Sequence, residues 1–93
     1  MMKSVRAVVF FSGHVQGVGF RYTCRILAKG FSVTGYVKNL DDGRVEMVVE
    51  GEGPETENFL QAIDQSHLKS FIRQHTVDWQ PATGEWNHFY IEQ

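Results

Sequence analysis

The residues at positions 13–21 are the part of this sequence best suited to binding an anion. The stretch runs Gly-His-Val-Gln-Gly-Val-Gly-Phe-Arg, with three glycines in its first seven positions and Arg21 at its end. Glycines let the backbone turn tightly and approach a ligand without clashes from a Cβ atom. Successive N–H groups that curl into the N-terminus of a helix form a concave anion site. A guanidinium in the first helical turn could then bind two phosphate oxygens.

The alternative interpretation of this stretch is a glycine-rich turn beside a surface arginine. A glycine-rich loop alone is weak evidence for function, and a polar residue at the start of a helix is common. The stretch also lacks the Lys-Ser or Lys-Thr pair of a nucleotide-binding P-loop, so neither a nucleoside triphosphate nor magnesium is indicated. The loop is therefore a candidate phosphate site whose ligand these residues alone do not identify.

The elements around the loop determine where Arg21 lies. Short apolar runs predict five strands, at residues 5–12, 33–40, 44–50, 71–79 and 89–91. The first of them is rich in Val and Phe and is expected to be buried on both faces. From Phe20 onward, apolar residues recur at steps of three and four, which predicts a helix that ends at Gly30. A second helix begins near Pro54, because proline suits the first helical turn.

The element order β-α-β-β-α-β with a short final strand is that of the ferredoxin-like sandwich. This α+β fold places two helices on one face of an antiparallel sheet, and the 93 residues are expected to form one domain, residues 1–93. The two strands of a β-α-β unit run parallel, so the loop after the first strand and the end of the second lie at the same sheet edge. Arg21 and Asn39 are therefore predicted to be near each other, although 18 positions separate them.

Asn39 is the second candidate for chemistry. Its uncharged amide can hold a water molecule by accepting one hydrogen bond and donating another. An asparagine before a hairpin turn also often satisfies local backbone groups, and the Asp42-Gly43 pair that follows is a strong hairpin signal. Taken alone, the residue type and its position allow both interpretations.

Two segments resemble the signatures of a known family. Residues 13–21 resemble the first signature of the acylphosphatase family, Gly-x-Val-Gln-Gly-Val-x-Phe-Arg. Residues 35–45, followed by Gly51, match the family's second signature, and the two motifs occur in the family's order and usual spacing. The resemblance implies the ferredoxin-like fold and hydrolysis of the carboxyl–phosphate bond of acyl phosphates without a metal or other cofactor.

The resemblance also implies roles for individual residues. The backbone cradle around the phosphate would come from Val15, Gln16, Gly17, Val18, Gly19 and Phe20. Arg21 would bind the phosphate and Asn39 would orient the attacking water, so that a small acyl phosphate is the substrate and inorganic phosphate a product. The sequence departs from the family at Phe11, where a branched aliphatic residue is usual. It also lacks the Gly-Pro turn often found after the second helix, which leaves the course of residues 66–87 open.

Composition disfavours several classes of protein. The net charge is −2 and the basic residues are scattered among the acids, which argues against a nucleic-acid partner. Cys24 is the only cysteine, so no intramolecular disulfide can form and a reducing cytoplasm is expected. The apolar run near the N-terminus is too short for a signal peptide or a membrane span. The sequence therefore predicts a cytoplasmic protein without a nucleic-acid or membrane partner; we also expect a monomer, although composition does not determine the oligomeric state.

Three other features invite a chemical interpretation and are better explained by structure. Asp41 and Asp42 are adjacent, so their carboxylates point apart on an extended chain. Cys24 lacks the arginine that a cysteine phosphatase places six positions later, since Gly30 stands there. No metal-ligand spacing relates the four histidines, which are His14, His67, His75 and His88.

Three alternative functions share the predicted fold. A small-molecule-binding or regulatory module would need no Arg-Asn pair at one sheet edge. A domain of a carbamoyl-transferring hydrogenase-maturation protein would be followed by cysteine-rich zinc segments, which this sequence does not contain. An RNA-binding sheet is disfavoured by the charge and by the missing aromatic motif. Hydrolysis of acetyl phosphate or benzoyl phosphate would distinguish an enzyme from a binding module.

Overall fold

A five-stranded sheet organises the chain in the computed structural model, which describes residues 3–93. In chain order the elements are β1 (Ser4–Gly13), α1 (Phe20–Ala28), β2 (Thr34–Asn39), β3 (Val45–Glu52), α2 (Gly53–Asp64), β4 (Ile72–Pro81) and β5 (Phe89–Ile91). A 3₁₀ helix, His67–Phe71, precedes β4. Within residues 3–93, no helix has both the length and the hydropathy needed to span a membrane. The element order is the one that the sequence predicts for an α+β ferredoxin-like fold.

The strand order β4-β1-β3-β2-β5 brings the ends of β1 and β2 to one edge of the sheet. Both strands are antiparallel to β3 and therefore parallel to each other, as expected for a β-α-β unit. Val45, at the start of β3, pairs with Phe11 on one side and with Asn39 on the other. Asn39 and the loop that follows β1 hence lie at the same level of this edge.

The sequence predicts an antiparallel sheet, but the last strand, β5, makes the sheet mixed. β5 pairs with β2 in parallel, with Gly35 opposite Phe89 and Val37 opposite Ile91. β4 and β5 are the two outermost strands of the sheet, and residues 82–88 connect them. Because β4 runs antiparallel to β1, a chain that turns back after β4 must run in the direction of β1 and β2. The direction of β5 thus follows from the path of the chain across the sheet.

The core lies between the sheet and the two helices. Alternate residues of β1 and β3 face it, and Val9, Val45 and Met47 are at most 1% exposed. Phe20 from α1 and Phe59 from α2 fill the space from the helix side. The outward-facing residues of β1 are half-buried, so the prediction that β1 is buried on both faces is wrong. The reason is that both helices pack on the same face of the sheet.

The segment that the sequence leaves open, residues 66–87, continues the core and the sheet. Leu68 of the 3₁₀ helix is fully buried, which fixes this helix against the end of α2. The fourth strand, predicted at 71–79, lies at Ile72–Pro81, because Phe71 belongs to the 3₁₀ helix. β4 then pairs along β1 over most of its length.

A buried carboxylate anchors the connection between β4 and β5. Glu50 is 4% exposed, and its Oε2 accepts hydrogen bonds from Arg6 Nε at 2.8 Å and from the Thr83 N–H at 2.9 Å. Its Oε1 accepts one from the Gly84 N–H at 2.9 Å. The Arg6 guanidinium also lies over the ring of Trp86, 4.8 Å from its centroid. Burial alone would raise the pKa of Glu50, but these hydrogen bonds outweigh it and hold that pKa below its ordinary value.

Replacing Glu50 with glutamine should lower the free energy of unfolding at neutral pH by about 2–3 kcal/mol, because at least one buried donor loses its acceptor. A carboxyl whose pKa is depressed in the folded state adds stability above its unfolded pKa, about 4.3. That stability is lost as the pH falls through the lower folded value. Urea unfolding should therefore show a large difference between the variant and the wild type at neutral pH and a small one in acid. Glu57→Gln, at an exposed site of α2, is the control, and a neutral-pH midpoint equal to that of the wild type would contradict the anchoring role.

Candidate functional site

A cavity of about 220 Å³ opens at the sheet edge where β1 and β2 end, beside the N-terminus of α1. Its walls are formed by Val15, Gly17, Gly19, Phe20, Arg21, Tyr22, Asn39, Ile91 and Gln93. Six of these nine are residues that the sequence predicts for the site. The fold thus brings the glycine loop, Arg21 and Asn39 together in one cavity, as the β-α-β geometry predicts.

The glycine loop takes a backbone conformation that other residues rarely adopt. Gly17 and Gly19 both have a φ of 77°, in the left-handed region that strains an L side chain. Gly19 is also the N-cap of α1, and no side chain of residues 3–93 caps the first-turn N–H groups of this helix. Such groups carry the positive end of the helix dipole, and a bound anion would satisfy them.

Contacts at both ends hold the loop in place. A Cβ atom on Gly13 (φ +126°) would lie 2.5 Å from the carbonyl oxygen of Phe71, so glycine is required there. The same carbonyl oxygen accepts a hydrogen bond from the His14 N–H at 2.9 Å. Val15 and Phe20 are 1% and 2% exposed, so their side chains pack in the core while their backbone borders the cavity. The loop is therefore anchored at both ends by contacts within the protein.

The side chain of Arg21 is available to a ligand. It is half-buried on the cavity wall and forms no ion pair within the described residues 3–93. Residues 13–40 contain no Asp or Glu but four basic side chains, those of Arg21, Arg25, Lys29 and Lys38. Of the side chains in residues 3–93 that line the cavity, Arg21 is positively charged and none is negatively charged, which favours an anion although the net charge of the chain is −2.

Asn39 has an unsatisfied oxygen. Its Oδ1 is buried but accepts no hydrogen bond from residues 3–93. Within these residues, Thr56 Oγ1 is the other buried side-chain oxygen without a partner. An unpaired buried acceptor costs about 1–3 kcal/mol, and a water or a ligand is its usual partner. Since Asn39 lines the cavity, its amide is suitably placed to bind a water molecule there.

Two residues of the predicted cradle, Gln16 and Val18, do not line the cavity. Val18 packs against the hydrophobic core. The Gln16 side chain is directed to the β2–β3 turn, where its Nε2 donates hydrogen bonds to the carbonyl oxygens of Leu40 and Arg44. The peptide groups of both residues still belong to the loop, so only their side chains face elsewhere.

Three cavity residues are missed by the sequence reasoning. Tyr22 follows Arg21 in the first turn of α1 and is 58% exposed, and this helical position next to the arginine could have indicated it. Ile91 and Gln93 reach the cavity because β5 pairs beside β2. No local sequence pattern indicates that pairing, since the paired residues, such as Gly35 and Phe89, are 54 positions apart.

The other chemically interesting residues lie away from the cavity. Cys24 is fully buried in the core, and burial raises the pKa of its thiol. Asp42 accepts a hydrogen bond from the Arg44 N–H at 3.1 Å and another from Arg44 Nε at 2.8 Å, and these bonds lower the pKa of the carboxyl. Cys24 is thus a core residue, and Asp42 belongs to the hairpin turn that the Asp42-Gly43 pair predicts. No group of three or more His, Cys, Asp or Glu side chains in residues 3–93 could hold a metal ion.

Comparison with known proteins relates this chain to one family. Residues 7–91 match the family model described as Acylphosphatase. A protein named acylphosphatase from Roseiflexus sp. (strain RS-1) is 41% identical over 91 residues, which cover 98% of each chain. The structure of acylphosphatase from Bacillus subtilis is similar with a TM-score of 0.87 at 31% identity, over 96% of this chain and 99% of that one. Full-length HypF is similar with a TM-score of 0.84 at 26% identity, over 100% of this chain and 12% of that one.

Proposed function

The chain belongs to the acylphosphatase family of enzymes, and on that premise we propose that it hydrolyses the carboxyl–phosphate bond of small acyl phosphates. One observation carries the proposal. A single cavity contains a glycine loop at an uncapped helix N-terminus, an arginine without an ion pair in the described residues, and a buried amide oxygen without a partner there. Each of these groups suits a different part of the same reaction.

The phosphoryl group is bound by the loop and by Arg21. The main-chain N–H groups of residues 15–20 surround its oxygens, and the guanidinium of Arg21 contacts two of them as a fork. These donors are fixed before the substrate arrives, because the loop is anchored at both ends. A fixed positive field around a phosphoryl group is the main contribution that proteins make to phosphoryl transfer.

The attacking water is bound by Asn39. The buried Oδ1 accepts a hydrogen bond from the water and holds it in line with the bond that breaks. A new P–O bond forms to the water oxygen, and the bond between phosphorus and the acyl oxygen breaks with its electron pair on the carboxylate. A proton of the water passes to an oxygen of the phosphoryl group. A dianionic acyl phosphate and water thus give a carboxylate and dihydrogen phosphate.

The residues of the cavity also fit a reaction without a metal. The leaving group is a stabilised carboxylate, so neither a strong base nor a Lewis acid is required. Among residues 3–93, the side chains that line the cavity include no Asp, Glu, His or Cys, which are the usual ligands of catalytic metals. The positive charge comes from Arg21 and from the backbone N–H groups.

We expect the purified protein to release inorganic phosphate from acetyl phosphate and benzoyl phosphate in the presence of EDTA. Inorganic phosphate should inhibit competitively, because the loop and Arg21 recognise the phosphoryl group alone. Both results come from steady-state kinetics with and without the chelator. Activity that EDTA abolishes and an added divalent metal restores would contradict the mechanism, and absence of hydrolysis with both substrates would contradict the function.

The cellular location and the oligomeric state are inferred on the same premise. We infer a cytoplasmic enzyme that is active as a monomer. The buried thiol of Cys24 fits a reducing compartment. The glycine loop, Arg21 and Asn39, which carry the proposed reaction, lie together in one cavity of the chain, and on that ground we propose that a single copy is active.

A further inference from the structure

The side chain of Gln16 connects the glycine loop to the turn that follows Asn39. Its Nε2 donates one hydrogen bond to the carbonyl oxygen of Leu40 at 2.8 Å and another to that of Arg44 at 2.9 Å. Leu40 directly follows Asn39, and its N–H donates to the Arg44 carbonyl oxygen at 2.8 Å, which closes the turn. Both donor hydrogens of one carboxamide are thus used to bind the two ends of the turn.

This connection is distinct from the contacts that hold the loop itself. The loop is fixed by the His14 N–H on Phe71 and by the buried side chains of Val15 and Phe20. Within residues 3–93, the two bonds from Gln16 are the hydrogen bonds that join loop residues 14–19 to turn residues 40–44. Loss of the Gln16 side chain would therefore leave the loop in place and release the end of β2 from it.

We propose that Gln16 is a positioning residue, which sets the distance between the bound phosphoryl group and the Asn39 amide. This inference rests on the function proposed above, because it acts through the water bound by Asn39. A displacement of about 1 Å between reacting groups can lower a rate by roughly 10²-fold. Removal of the Gln16 donors should therefore impair the chemical step far more than phosphate binding.

The first test is Gln16→Met, which keeps the length of the side chain and removes both donors. The kcat for acetyl phosphate should fall by about 10- to 100-fold, while the inhibition constant of inorganic phosphate changes by less than about threefold. Gln61→Met, at an exposed site of α2, is the matched control for the same substitution. A kcat of Gln16→Met within about threefold of the wild type, or a parallel loss of phosphate binding, would overturn the inference.

The second test repeats Gln16→Met in an Asn39→Ala background. If Gln16 acts through Asn39, the substitution should lower the residual kcat by less than about threefold, because the two effects are not additive. An undiminished effect of Gln16→Met in that background would overturn the inference while the role of Asn39 stands. A wild-type kcat in Asn39→Ala itself would instead refute the water-binding role, and with it the inference.

Gln16→Glu provides a test that does not depend on the methionine variant being folded. A carboxylate at this position cannot donate, whereas a protonated carboxyl carries one O–H donor. The facing turn carries three charged side chains: Asp42 and Arg44 pair with each other, and Asp41 is exposed. The ratio of variant kcat to wild-type kcat should therefore rise as the pH is lowered from about 7 to about 5, with an unchanged circular dichroism spectrum. A ratio independent of pH would overturn the inference.

Discussion

An Arg21→Ala variant should hydrolyse acyl phosphates with a kcat/KM about 10²- to 10³-fold below that of the wild type. Loss of one fixed donor to developing negative charge costs roughly 3–4 kcal/mol in transition-state stabilisation, and each 1.36 kcal/mol is a factor of ten in rate. Among residues 3–93, Arg21 is the one cavity-lining residue with a charged side chain. The inhibition constant of inorganic phosphate should rise at least about tenfold in the same assay, because the two hydrogen bonds from the guanidinium to the phosphate oxygens are lost.

The effect should be specific to the cavity. Arg25→Ala removes the same charge from the same helix at an exposed position outside the cavity, and its kcat/KM should stay within about threefold of the wild type. Arg21→Lys should recover only part of the activity, since an ammonium retains the charge but not the planar fork.

Stability measurements separate a catalytic Arg21 from a structural one. Arg21 forms no ion pair in the part of the chain that the structure describes, so Arg21→Ala should change the free energy of unfolding by less than about 0.5 kcal/mol. Urea unfolding and circular dichroism measure this directly. A collapsed spectrum, or equal losses in the Arg21 and Arg25 variants, would contradict direct binding of the phosphoryl group.

Asn39→Ala should lower kcat by about 10²-fold and change the inhibition constant of inorganic phosphate by less than about threefold. In the proposed mechanism the amide positions the attacking water and makes no contact with the phosphate. Initial rates with acetyl phosphate, together with phosphate inhibition, measure the two quantities separately. Asn58→Ala, at an exposed site of α2, is the matched control and should retain kcat.

The same variant distinguishes the two interpretations of Asn39 that the sequence allows. If the side chain satisfied the backbone of the hairpin turn, its removal would destabilise the fold by about 1 kcal/mol. In the structure Oδ1 has no partner in residues 3–93, so Asn39→Ala should not lower the free energy of unfolding. A variant that loses stability but keeps kcat would show that Asn39 serves the turn and not the reaction.

Much of the fold follows from local patterns in the sequence. The alternation of Val45, Met47 and Val49 marks one face of β3, and the structure buries all three completely. The bounds of β1, β2 and β3 differ from the predicted ones by one or two residues. Such patterns are reliable because successive side chains of a strand point to opposite faces of the sheet, and one of those faces packs against the helices. The degree of burial of the second face of β1 could not be predicted, since it depends on where both helices pack.

The position of β5 and the path of residues 82–88 depend on distant partners. Glu50 holds the Thr83 and Gly84 N–H groups, which lie more than 30 positions away along the chain. The alternation along β3 places Glu50 on the face opposite Val45, Met47 and Val49, and this pattern predicts an exposed carboxylate. A carboxylate becomes buried only where enough donors converge on it, and nothing local to residue 50 indicates those donors.

The sequence alone determined the conformation of the glycine loop and the position of Arg21 beside it. Gly17 and Gly19 are required by the positive φ of the turn, and Arg21 follows them into the first turn of the helix, so this part depends on neighbours along the chain. Only the tertiary structure decided that Gln16 reaches the turn after Asn39 and that Ile91 completes the cavity wall. The physical reason is that backbone conformation is set by steric contacts between adjacent residues, whereas a hydrogen bond or a cavity wall forms between whichever segments the folded sheet brings together.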